Sequence, residues 1–134
     1  MPRFVTAFGM AAIGLIACNL RLNPVSAQDD AARPEFFTTR VQPILQNNCA
    51  RCHGSMNHRG GLSLDTRDSM LKGGHHGPAL VPGDPANSRL LTLIRHEGPS
   101  EDPMNMPPNR PKLSDADIAT VEQWIKAGAV TPKP

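Results

Sequence analysis

Residues 49–53 read Cys-Ala-Arg-Cys-His, and no other feature narrows the fold of this chain as much. Two thiols three positions apart on a helix end can each reach one vinyl group of a single porphyrin and form thioethers. The histidine that follows directly sets an imidazole nitrogen beneath the iron. C-x-x-C-H is thus the attachment signature of a c-type haem, with Cys49 and Cys52 as the covalent links and His53 as the proximal iron ligand. Rival readings of the motif are weaker. A structural zinc site would draw on His58, His75, His76 and His96, but the compact H-x₃₋₅-H spacing of such sites is missing. A thioredoxin-like redox pair needs a βαβ context that the pattern does not offer, and a disulfide between cysteines two residues apart cannot staple a domain.

Haem attachment of this kind follows export, and the N-terminus carries a matching signal. Arg3 gives a positive start, and Phe4 to Cys18 is an uncharged, mostly apolar run. It is shorter than the roughly 20 residues a permanent membrane-spanning helix requires. Val25-Ser26-Ala27 is a small-residue cleavage site that would release a mature chain starting at Gln28. Leu15 to Cys18 offers a competing lipobox, in which a lipidated Cys18 would hold the protein on a membrane. Cleavage after Ala27 is the favoured expectation, with residues 1–27 as the export signal and a periplasmic or otherwise extracytoplasmic location.

Composition then bears on the core. The chain has 134 residues, 39% of them hydrophobic, with 14 prolines, 11 glycines and no tyrosine. Past the signal the only aromatic rings are Phe36, Phe37 and Trp124, a small apolar payload for that length. A porphyrin would supply the missing core, which makes folding and haem attachment coupled events. The 14 Lys and Arg against 12 Asp and Glu become level once Arg3 and Arg21 leave with the signal. No strong basic field remains for nucleic acid or anionic membrane, so the expected partners are redox proteins outside the cytoplasm, and membrane contact enters only through Cys18.

The rest of the pattern is helical. Residues 28–35 read as a polar, flexible lead-in. Phe37, Val41, Ile44, Leu45 and Cys52 fall at helical intervals, with Pro43 either kinking the helix or restarting it. Asp65 and Asp68 predict the opening of a short helix over residues 66–71, stopped by Gly73-Gly74. Pro82 to Pro85 predicts a turn, and residues 88–96 a mostly buried helix. A proline-rich loop follows over residues 98–112. Ser114 with Asp117 predicts a cap for a final helix whose stripe is Ile118, Val121, Trp124 and Ile125 and whose end is Gly128. No strand-like alternation and no internal repeat occur, so the expected class is all-α with long Pro- and Gly-rich loops. Gly60-Gly61 and Gly73-Gly74 suit tight turns better than a phosphate loop, because the strand, Lys and Ser or Thr of such a loop are missing.

The second axial position of the iron has several candidates. Met56 stands only three residues past His53, and Met70 lies on the short helix. Met104 and Met106 sit in the proline-rich loop. Pro107 and Pro108 restrict Met106 to an extended backbone and stiffen the segment that presents its sulfur, so Met106 ranks first. Met104 and a histidine, His75 or His76, are the alternatives.

Residues 41–45 (VQPIL), 49–54 (CARCHG), 60–64 (GGLSL), 71–85, 106–108 and 112–129 together resemble the planctomycete-type cytochrome c domain, over roughly residues 36–129. The resemblance implies a class I-like, all-α fold with one haem, bonded to Cys49 and Cys52, and with His53 and Met106 as axial ligands. It also implies that the last helix packs on the one leading to Cys49, which would put Trp124 near the haem edge; the alternative is that Trp124 is simply core, and the two descriptions largely coincide. The paired His75-His76 departs from the family pattern. With both axial positions filled, the expected function is one-electron transfer rather than enzymatic turnover, by a small carrier or by the electron-accepting subunit of an extracytoplasmic redox enzyme. The rival is a haem sensor or peroxidase-like enzyme whose sixth ligand is open or displaceable.

Overall fold

A computed structural model describes residues 26–99, 101 and 104–133. The apolar run expected to serve as an export signal, and Cys18, lie outside these residues. Seven helices follow in order, and no strand occurs among the described residues: α1 Ala27–Ala31, α2 Pro34–Phe36, α3 Gln42–Asn48, α4 Ala50–His53, α5 Arg67–Lys72, α6 Arg89–Ile94 and α7 Asp115–Lys126. Among the described residues the sole β-type pairing is an isolated bridge between Gly74 and Gly77.

The lead-in departs from expectation. Instead of a flexible tail, residues 27–31 form α1, because the Ser26 hydroxyl caps it by accepting from Asp29 N–H and two aspartates occupy its first turn. Its Ala31 is fully buried, and Gln123 of α7 donates to the Ala27 carbonyl at 2.6 Å.

Pro43 restarts the helical run, as the second of the two expectations had it, rather than kinking it. The chain widens before it into a π-helical turn, Phe37–Val41, in which Gln42 N–H bonds to the carbonyl of Phe37, five residues back. Pro43 then falls in the first turn of α3, where its missing N–H costs nothing. Thr38 and Thr39 hydroxyls donate to the Glu35 carbonyl at 3.0 and 2.7 Å. The turn keeps Phe37, Val41, Ile44 and Leu45 on one buried side.

That side packs on α7, whose Ser114 cap accepts from Asp117 N–H and whose stripe Ile118, Val121, Trp124 and Ile125 is buried. Each such side chain contributes about 1.5–3 kcal/mol on burial. Phe37 and Trp124 meet with ring centroids 5.3 Å apart and planes tilted by 37°. Trp124 Nε1–H donates to the Val130 carbonyl at 2.8 Å, which draws the tail over the ring. Arg67 of α5 donates to the carbonyls of Ala129 and Gly128, closing α5 on the end of α7.

The short elements between are joined by backbone bonds. The cap of α5 is Thr66, paired reciprocally with Ser69, and not Asp65 with Asp68, because a hydroxyl pair satisfies both the helix N–H and the cap N–H. Ala79 N–H bonds to Met70 O and Leu90 N–H to Ala79 O, so α5 and α6 are tied through one residue. Ser88, fully buried, accepts from Val81 N–H and donates to Asp84 O, which fixes the Pro82 to Pro85 turn on the start of α6.

Because Trp124 is fully buried and carries both the Phe37 contact and the Val130 bond, Trp124→Ala should destabilise the haem-loaded protein by about 3–5 kcal/mol, read as a lower denaturant midpoint.

Candidate functional site

Helix α3 ends at Cys49, whose N–H still bonds to Leu45 O at 2.8 Å and whose own carbonyl accepts from both Cys52 and His53. The cysteine motif is thus one tight turn, α4, hung on the end of α3. Behind it Gly54 leaves no room: a Cβ there would stand 2.5 Å from the carbonyl oxygen of Ala50. His53 is then pinned from the next segment, since its carbonyl accepts from Leu64 N–H at 2.7 Å.

Cys49, Cys52 and His53 line one cavity of about 350 Å³, a volume within the range of ligand pockets. Its walls come from several later segments: Leu62 and Leu64 after α4, Ala79 before α6, Leu90 and Ile94 from α6, and Leu113 before α7. Gly60 and Gly74 form one rim, where the chain comes close enough that a Cβ on Gly74 would stand 2.3 Å from Gly60 O. Among the lining residues are the cations Arg59 and Arg89 and no carboxylate. An apolar space with cations and no anions suits a flat apolar ligand that carries acid groups.

The environment sets the titrating groups. Burial pushes the Cys49 thiol up to about 11, with Cys52 adding to the effect, so it is held as S–H. Burial also pulls the His53 ring below the usual histidine value, and the Arg59 charge acts in the same direction. The carbonyls of Leu62 and Arg59 oppose them. The neutral imidazole that binds iron is therefore the favoured form. His53 Nδ1 is buried without a hydrogen bond of ordinary geometry, a costly state for a polar atom. An imidazole, two thiols and a thioether facing an apolar space are a donor set that fits a covalent haem.

The methionines separate cleanly. Met56 is 92% exposed, and Met70 is fully buried in the core away from the cavity. Met104 and Met106 both line the cavity. Met106 is fixed by its backbone, with N–H bonded to Leu93 O at 3.0 Å and its carbonyl 3.2 Å from His96 Nε2, whereas Met104 is 46% exposed. Of the paired histidines His76 lines the cavity and His75 does not; His75 instead packs on Gly61. Trp124 does not line it either: the ring is turned onto Phe37 and fully buried, which agrees with its reading as a core residue. No group of three or more His, Cys, Asp or Glu able to hold a metal ion occurs among the described residues.

Residues 49–110 match the family described as Planctomycete cytochrome C. The match supports a planctomycete-type cytochrome c domain, and that family implies binding of haem c. It takes in the cysteine motif, α5, α6 and the methionine loop, while the π-helical turn, α3 and α7 lie beyond it. A search of curated proteins and a search of solved structures each found no match.

Without a porphyrin the apolar lining of this space faces water, and the side-chain core that remains is small for the chain. A Cys49→Ala, Cys52→Ala chain without haem should therefore show no cooperative thermal transition by circular dichroism; a sharp melt would contradict the coupling.

Proposed function

Taking residues 49–110 as a planctomycete-type cytochrome c domain, we propose that this chain is an exported monohaem c-type cytochrome that transfers single electrons. It acts as a small carrier or as the electron-accepting subunit of a redox enzyme outside the cytoplasm, and not as an enzyme in its own right. The observation that carries the reading is the convergence of Cys49, Cys52, His53 and Met106 on one apolar cavity.

Haem c, when bound, supplies one-electron exchange between ferric and ferrous iron. Cys49 and Cys52 would each add S–H across a vinyl group, forming a thioether with no leaving group. His53 would give its neutral imidazole to one axial position, and Met106 its sulfur to the other. The thioether favours the ferrous state relative to a second histidine. Arg59 and Arg89 are the cations available to the porphyrin's acid groups. The surrounding leucines and isoleucine keep water from the plate.

Export rests on Arg3 and the apolar run to Cys18. No helix among the described residues is long and apolar enough to cross a membrane. With charges level after signal removal, docking to a redox partner has no strong net field behind it and should vary weakly with salt.

The optical spectrum tests the ligand set. The isolated protein should give a narrow ferrous α band without added ligand and the weak ferric band at the red end that marks thioether-to-iron bonding. A high-spin spectrum that changes on adding CO would favour a sensor or peroxidase-like site instead. Met106→Ala should abolish the ferric band, while Met104→Ala should leave it. Mass spectrometry of the mature protein should find an N-terminus at Gln28, which would take the Ser26 cap and the Ala27 carbonyl away from α1; a lipidated Cys18 would keep both and place the protein on a membrane.

A further inference from the structure

The loop that carries Met106 has no regular structure among its described residues and is held to the far end of α6. Met106 N–H bonds to the Leu93 carbonyl, which also accepts from His96 N–H at the end of the helix, and Asn105 Oδ1 accepts from Gly98 N–H at 3.0 Å. One side chain joins these ties. His96 Nε2 lies 3.2 Å from the Met106 carbonyl oxygen. A carbonyl only accepts, so Nε2 carries the proton and donates.

The backbone at His96 is unusual. In α7 the helix ends through Gly128 at φ 101°, with Gly128 N–H bonded to Ile125 O and Ala129 N–H to Trp124 O. Helix α6 ends by the same pair of bonds, His96 N–H to Leu93 O and Glu97 N–H to Thr92 O, with His96 at φ 60° in the place glycine takes in α7. That left-handed position favours glycine, because a Cβ there crowds the backbone. A histidine that holds a glycine's place, with its ring set on the methionine loop, has a use other than ending the helix.

We propose that His96 is a positioning residue for the axial thioether. Its Nε2–H holds the Met106 carbonyl so that the sulfur stays directed at the cavity and resists displacement by other ligands. The inference rests on Met106 being the sixth ligand. His96 does not itself line the cavity, which separates this role from ligation by histidine.

The test uses the haem-loaded ferric protein at one fixed pH, with imidazole as the competing ligand and the thioether-to-iron band as the readout, beside thermal melting. His96→Gly accepts φ 60° without strain but removes the donor. It should melt at or above the wild-type temperature, yet bind imidazole about five- to tenfold more tightly, the worth of one lost hydrogen bond. His96→Gln keeps an N–H donor within reach of the carbonyl and should stay within about twofold of wild type in imidazole affinity, even where its backbone lowers the melting temperature. Unchanged imidazole affinity in His96→Gly overturns the proposal alone. So does joint loss of melting temperature and band in that variant, which would make His96 merely structural. A wild-type protein without the band overturns the ligand assignment and the proposal with it.

Discussion

The contact between Phe37 and Trp124 fixes the geometry on which the site depends. It holds the π-helical turn and α3 against α7, and Cys49 stands at the end of α3, so the cysteine motif inherits its position from a ring pair that does not line the cavity. The division of labour is plain. Three rings, too few to fill a domain of this size, are concentrated in one half as a packed wall, and the other half is a shell of short helices and loops around an apolar space. Packing one half tightly leaves the other free to be shaped by a cofactor rather than by side chains.

That shell is assembled largely by backbone groups. Leu64 N–H to His53 O, Ala79 N–H to Met70 O, Leu90 N–H to Ala79 O and Met106 N–H to Leu93 O link successive segments around the cavity. Bonds of this kind leave no mark on side-chain identity. They explain why the sequence names the donors of the site but not its walls. The α7 stripe with its Ser114 cap, the Pro82 to Pro85 turn and the place of the cysteine motif at a helix end are each decided within a few residues, and each reads correctly from local pattern. Trp124 could not be placed that way, since its stripe position shows only that it is buried, and not against what. The α1 helix was hidden by its polarity: Ser26, Asp29 and Asp30 make a cap and a favourable first turn, but only the packing of Ala31 keeps so short a segment folded.

His96 shows a different limit. A helix end with glycine after it is legible, as Gly128 is, whereas the same turn made with histidine resembles any helix surface. The clue was available in a weaker form, as a histidine following a short apolar run and preceding a loop of prolines. In the methionine loop the distinction between Met104 and Met106 follows from anchoring, since both sulfurs belong to residues at the cavity, and Met106 has its N–H bonded to α6 and its carbonyl to His96 just beyond it.

The widened turn before Pro43 also sets a phase. An α-helix advances about 100° per residue, so a turn that closes over five residues in place of four rotates everything after it by roughly that angle relative to a regular helix. The direction in which Cys49 faces is therefore tied to one extra residue seven to twelve positions upstream. Removing a residue there would tighten the spiral, bring the Pro43 ring against the carbonyl four positions back, and swing the cysteine pair around the helix axis away from the cavity. Loop lengths on the cavity side can drift without that consequence; the count of residues between Phe37 and Cys49 cannot.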